Sequence, residues 1–244
     1  MIMLPPLQPA TLIRRYKRFL GDVTLPTGEE ITVHTPNTGA MTGCAEPGST
    51  VYLRDVANPK RKYRYSWEVT ENLQGVMVGV HTGITNGLVR EAIEGGVVSE
   101  LQGYSSIRQE VRYGEEGSRI DLLLSGHADG RDCYVEIKNV TTCDEQGYGY
   151  FPDAVSSRAT KHLRELMGVV AQGGRGVIFF CVQRGDVEAV RPADEIDPLY
   201  GETLRLAIEA GVEAIACRAN VTPSQIVLEQ MVPVAVHKTP IKRP

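Results

Sequence analysis

Glu136 and Lys138 lie two positions apart in the run CYVEIKNV, residues 133–140, and Asp121 lies fifteen positions before Glu136, in SRIDLLL. Strand side chains alternate faces, so an extended 133–140 segment puts Tyr134, Glu136, Lys138 and Val140 on one surface. An acid and an ammonium then stand side by side on a short apolar strand. Asp121 sits among Ile120, Leu122 and Leu124, where a carboxylate is disfavoured and costly to bury alone. Brought together, the two acids offer oxygen ligands to a hard cation, Mg²⁺ (or Mn²⁺), which is satisfied by one or two carboxylates plus water and phosphate oxygens. The carbonyl of Ile137 could add a ligand, and Glu91 is a further acid able to approach the same cluster. Lys138 could orient or deprotonate an attacking water, or neutralise charge building on a phosphoryl group, so the set suits phosphodiester hydrolysis. The plainer alternative is an exposed Glu136 and Lys138 ion pair with Asp121 at a sheet edge.

Holding these residues together requires a particular run of elements. In TNGLVREAIEGG, Asn86 can cap a helix whose apolar stripe is Leu88, Val89, Ala92 and Ile93, and Gly95 and Gly96 can end it. Strands are expected at YSSIRQEVRYG, SRIDLLLSG and CYVEIKNV, with hairpin turns at GEEGS and GHADGRD. A helix over about 156–172 follows, with Ala159, Leu163, Leu166 and Val170 on its buried face and Arg158, Lys161, His162 and Glu165 on its polar side. There Lys161 and His162 could reach a phosphate, or could simply be solvated, and Asp153 could cap the helix or join the acids. GVIFFCV reads as a strand covered on both sides. PLYGETLRLAIEAG reads as a helix, VEAIACRA as a strand and the remainder as a short β-prone end, which makes this part α/β with a parallel centre. GxSxG, Walker and GxGxxG motifs are missing, which argues against the hydrolases, nucleotide triphosphatases and dinucleotide enzymes that carry them.

Residues 11–82 read differently. Short β-prone runs broken by Gly, Pro and Asn, the first of them the single run TLIRRYKRFLGDVTL (11–25), with no helical period, suit an OB-like small barrel of five strands. LIRRYKRF and PKRKYRYSW interleave Arg14, Arg15, Lys17, Arg18, Lys60, Arg61, Lys62 and Arg64 with Tyr16, Phe19, Tyr63, Tyr65 and Trp67. Cations can hold phosphates while aromatic faces stack on bases, giving salt-dependent binding with little sequence preference. Ordinary solvated strands are the competing reading. The loop TPNTGAMTGC, residues 35–44, is either a close-approach surface for a nucleic-acid backbone or an ordinary barrel turn.

Net charge is −4, and it is uneven: residues 1–83 carry nine Lys and Arg against seven Asp and Glu, residues 84–244 seventeen against twenty-three. Five cysteines form no CxxC pair, which fits a reducing cytoplasm. The start MIMLPPLQPATLIRRYKRFL has prolines where a signal peptide needs its apolar run, and no membrane partner is expected. A homodimer is left open.

PPLQPATLIRRYKRFLGDV, HTPNTGAMTGCAEPGSTVYL, LQGYSSIRQEVRYG, SRIDLLL, CYVEIKNVT and GYFPDAVSSRATKHLRELM together resemble the sugar fermentation stimulation protein A family of bacteria and archaea, over nearly the whole chain. The resemblance implies an OB-like DNA-binding domain (1–83) followed by a PD-(D/E)xK nuclease-like mixed-sheet α/β domain (84–244). It implies DNA binding with low sequence specificity and a link to the use of maltose and other sugars. The nuclease motif falls on Asp121, Glu136 and Lys138, with Glu91 as the helix acid; Ile120 stands where the usual proline precedes the first Asp. Two functions stay open: a metal-dependent nuclease, and a non-catalytic DNA-binding regulator of sugar utilisation.

Overall fold

The computed structural model describes residues 2–114 and 117–237. The centre of the expected GEEGS turn, residues 115 and 116, lies outside that range.

The first part is a closed barrel. Its strands are β2 (Leu7–Tyr16), β3 (Leu20–Thr24), β4 (Glu30–His34), β5 (Thr50–Asp55), β6 (Tyr65–Glu71) and β7 (Met77–Gly79), after a short β1 (Ile2–Met3). The order is β4-β3-β2-β5-β6-β7, and a β4–β6 pairing at His34↔Ser66 closes five of them into a ring. Leu12, Val23, Val33, Val51, Leu53 and Trp67 alternate inward and fill it. Two expectations change here. The run 11–25 is a hairpin, because Lys17 and Arg18 adopt φ of 49° and 65° and turn the chain between β2 and β3. Trp67 is fully buried, with its indole N–H donated to Thr70 Oγ1 at 3.0 Å, so it offers no face to a base.

After a 3₁₀ turn, α1 (Thr85–Glu94) leads into a seven-stranded mixed sheet built from β8 (Ser106–Tyr113), β9 (Ser118–Ser125), β10 (Cys133–Val140), β12 (Arg175–Val182), β14 (Glu213–Val221) and β15 (Gln225–Val232), with β1 at its edge. Short β11 (Tyr148–Phe151) and β13 (Ala189–Pro192) pair separately; α2 (Ser157–Ala171) and α3 (Pro198–Glu209) complete the part. The sheet order is β1-β15-β14-β12-β10-β9-β8, with β10, β12 and β14 parallel. One apolar layer packs α1 on the sheet and a second packs α2 and α3 on its other face. Among the described residues, no helix is long and apolar enough to cross a membrane. The expected boundary at 83/84 is crossed by β1: Ile2 and Met3 pair with Ile226 and Gln225, covering the exposed edge of β15.

The two parts share a seam. Gly79 N donates to Gln183 O at 2.8 Å and Ala40 N to Asp153 Oδ2 at 2.6 Å. The 35–44 loop is therefore neither a free surface nor an ordinary turn; it is built against the second part.

Candidate active site

The central strand β10 pairs with β12 along its whole length, but its ladder to β9 stops at Val135↔Leu122. Asp121 is the next residue along. In the gap its Oδ2 accepts the Ile137 backbone N–H at 2.7 Å, and its Oδ1 accepts from Asn86 Nδ2 at 3.2 Å. Ile137 thus serves the site through its amide, while its side chain is buried in the α1 layer. Burial, then the charge of Glu136, pushes the Asp121 carboxyl up to about 6, against the lowering pull of the Ile137 amide, Lys138 and Asn86.

Glu136 is 3% exposed and Lys138 is 9% exposed. The expected face of β10 is right and the solvated ion pair is ruled out. Lys138 Nζ donates to Glu136 Oε1 at 2.8 Å, and His162 Nδ1 hydrogen bonds to the same oxygen; Nζ lies 3.3 Å from His162 Nδ1 and 6.0 Å from the centre of the Phe151 ring. Burial raises the Glu136 carboxyl, but the His162 hydrogen bond and the Lys138 charge outweigh it and hold the group below its ordinary value. Both donors are directed at Oε1. Oε2 is buried and has no partner.

Helix α2 delivers His162. Ser156 caps the helix by accepting from Ala159 N, and Asp197 Oδ2 takes the Ser156 N–H. His162 and Glu165 are 5% and 7% exposed, not on a polar face as the sequence suggested. Ala159, His162, Leu163 and Leu166 follow the i, i+3, i+4, i+7 rule, so the inward position of His162 was readable and its polarity concealed it. Asp153 neither caps α2 nor joins the acids, since the barrel's Ala40 amide takes it. Asn86 does not cap α1 either; it lies inside the first turn and is the α1 side chain that reaches Asp121, whereas Glu91 is exposed on that helix. Lys161 is half-buried and Arg158 Nε donates to His162 Nε2 at 3.4 Å. Sequence reasoning passed over Tyr113, which ends β8 buried beside the cluster, with its hydroxyl pushed up by burial and then by Glu136, Glu165 and Asp121.

The barrel's cations divide into two kinds. Arg15 donates to the carbonyls of Arg18, Asn37, Gly39 and Ala40 and so staples the 35–44 loop. Arg18 Nε donates to Thr38 O, and Arg14 Nε to Asp22 Oδ2, both at exposed positions. Lys17, Lys60, Arg61 and Lys62 are exposed. Arg14, Lys62 and Arg64 lie over the rings of Tyr16, Tyr63 and Tyr65.

A closed OB barrel joined to a mixed α/β sheet, with acids brought in by β9 and β10 and a lysine beside Glu136, defines a two-part protein of OB platform and mixed-sheet domain. Family models agree: residues 13–80 match the SfsA N-terminal OB domain and residues 83–225 the sugar fermentation stimulation protein RE domain. The sugar fermentation stimulation protein homolog of Geobacter metallireducens is 59% identical over 229 residues, covering 94% of this chain and 97% of the relative. That of Thioalkalivibrio sulfidiphilus is 55% identical over 231 residues, covering 94% and 96%. The chain belongs to the sugar fermentation stimulation protein family. A solved structure of Pyrococcus furiosus SfsA in complex with Ca²⁺ superposes with a TM-score of 0.84 at 29% identity, covering 96% of this chain and 98% of that one.

Proposed function

We propose that this protein binds a divalent cation, Mg²⁺ or Mn²⁺ in the working state, at Asp121 and Glu136 and cleaves phosphodiester bonds in DNA with little sequence preference. One observation carries the reading: Glu136 Oε2 is a buried carboxylate oxygen with no partner, beside an Asp121 carboxyl that burial, and then the charge of Glu136, raises. Two crowded acids with one empty acceptor are stabilised by a cation. Among the described residues no third His, Cys, Asp or Glu completes a cage with them, which suits an ion that keeps waters and phosphate oxygens in its shell. The Pyrococcus relative was solved in complex with Ca²⁺, which supports divalent-cation binding by this fold.

A bound cation supplies charge for the phosphate and lowers the pKa of a water. The chain's residues do the rest. Asp121 is oriented from two sides, by the Ile137 amide and Asn86. His162 and Lys138 hold Glu136 in one rotamer, leaving Oε2 for the cation. Lys138 places a positive charge beside the scissile phosphate. The exposed cations Lys17, Lys60, Arg61 and Lys62, with Arg14, guide the polyanion along the barrel.

A second reading, a non-catalytic DNA-binding regulator of sugar (maltose) utilisation, is favoured by one fact: the Lys138 ammonium is already engaged by Glu136 in a nearly closed site. Incubating the protein with single- and double-stranded DNA, with Mg²⁺, Mn²⁺ or chelator, separates the two. Cleavage that requires metal and vanishes in Glu136→Ala establishes the enzyme. Binding without cut products, unchanged by Glu136→Ala, leaves the regulator.

A further inference from the structure

Beside the acids, where β8, β10 and α2 meet, is a pocket of about 450 Å³, lined by Arg112, Tyr113, Tyr134, Arg164, Glu165 and Gln172 among others. That volume lies in the ~300–1,000 Å³ range of small-ligand sites. The groups behind its inner wall are unusual. Both carboxylate oxygens of Glu165 and the hydroxyl of Tyr113 are buried with no hydrogen-bond partner, so the two groups do not satisfy each other. Leaving a buried carboxylate without donors costs far more than leaving a hydroxyl so. The backbone is also kept bare around it. A Cβ on Gly114 would collide with Glu165 Oε1, whereas one on Gly168, a turn along α2, would meet nothing within 4 Å.

We propose that this pocket takes one unstacked guanine base of a nucleic-acid strand beside the candidate active site and reads its Watson–Crick edge through Glu165 and Tyr113, whose oxygens, sealed in the free protein, turn into the pocket to meet it. Guanine presents an acceptor (O6) followed by two adjacent donors (N1–H and N2–H). A phenol that donates and a carboxylate that accepts twice is the matching order. Cytosine and adenine offer fewer or misplaced donors, and thymine has a single ring N–H. Tyr134, half-buried and 5.6 Å from Tyr113 between ring centres, supplies an aromatic wall. Arg112, exposed at the pocket, puts positive charge there for the attached phosphate. An arginine side chain could also fork onto Glu165, but it would have no use for the Tyr113 hydroxyl or the cationic Arg112.

This inference rests on the reading that the site handles nucleic acid, and its test is independent of cleavage. The full chain in chelator is titrated with GMP, IMP, AMP, CMP, UMP and free arginine by calorimetry. GMP should bind at least about tenfold tighter than IMP, which lacks the N2 amine, and than the other nucleotides. Glu165→Gln should weaken GMP by about tenfold or more, since an amide presents one acceptor where two are needed. Gly168→Leu should fill the pocket and abolish GMP binding in a folded protein, because replacing a helical glycine favours the helix. Equal affinity for all nucleotides, GMP binding indifferent to Gly168→Leu, or arginine binding better than GMP overturns the proposal. Selective GMP binding without metal-dependent cleavage sinks the nuclease reading and keeps the pocket. Metal-dependent cleavage without GMP selectivity does the reverse.

Discussion

Each half of the molecule buries a glutamate on a central strand, and the two are treated differently. Glu68, on β6 of the barrel, is 2% exposed; Arg54 Nε donates to its Oε1 at 2.8 Å, and His81 Nε2 lies 3.8 Å from its Oε2. Glu136, on β10, is as deeply buried, yet both of its nitrogen neighbours crowd onto one oxygen and the other is bare. The barrel acid has a basic group facing each oxygen. The β10 acid is half satisfied, and its unused oxygen is the one the proposed cation would take. A buried charge is thus informative less by its presence than by which of its lone pairs its own fold leaves unused.

Experiments can separate the two halves. The largest effect should come from the barrel's core: Trp67→Ala should lower stability by about 3–5 kcal/mol in urea unfolding. It should do so without weakening Ca²⁺ binding per folded molecule; a missing cation site in the folded fraction would mean the halves are not separable in this way. Next, Glu136→Gln should lower cation affinity or cleavage on the order of 100-fold, read by calorimetry or product gels. Glu68→Gln should leave both within about threefold while lowering the melting temperature, because the change strands Arg54 and not a metal. Equal damage from both variants would erase the distinction.

The Asp121 carboxyl gives a pH signature of intermediate size. Its folded value, about 6, lies above the ordinary 3.8, so between roughly pH 4 and pH 6 the native chain holds a proton that the unfolded chain releases. Stability from this group should therefore be greatest below that window and fall as pH rises through it, by on the order of 2–3 kcal/mol. Asp121→Asn should flatten the slope, and saturating Ca²⁺ should restore the stability above pH 6, since deprotonation frees the ligand; a pH series of melting curves with and without Ca²⁺ checks both. The smallest effect is expected from the barrel surface. Replacing Lys17, Lys60, Arg61 and Lys62 by Ala should weaken DNA binding modestly at low salt and reduce the slope of log K against log salt by up to about one for each phosphate no longer neutralised. An unchanged slope would remove this face from the interface.

Much of the frame was legible along the chain. The alternation of CYVEIKNV put Glu136 and Lys138 on one face, the unbroken run GVIFFCV became the doubly covered β12, and the leucine spacing of 156–172 became α2 with Ser156 as its cap. The misreadings share a cause. His162 and Glu165 were assigned to the polar side of the helix because polar residues usually face away from the core, although their spacing placed them next to the stripe. Trp67 was offered to bases because it follows a basic run, while strand alternation pointed it inward. Lys17 and Arg18 turn with positive φ, a conformation that their residue types do not announce.

Periodicity is a property of neighbouring residues, and it was enough to place the main strands and helices, the β-rich part before the α/β part, and the face of β10 that carries Glu136 and Lys138. The partners of the acids came only with the folded arrangement. Asp121 meets the Ile137 amide because the β9 ladder ends one residue before it, and His162 reaches Glu136 across twenty-six positions because α2 packs on that face. Hydrogen bonds between distant segments depend on register and packing, and no local pattern encodes them.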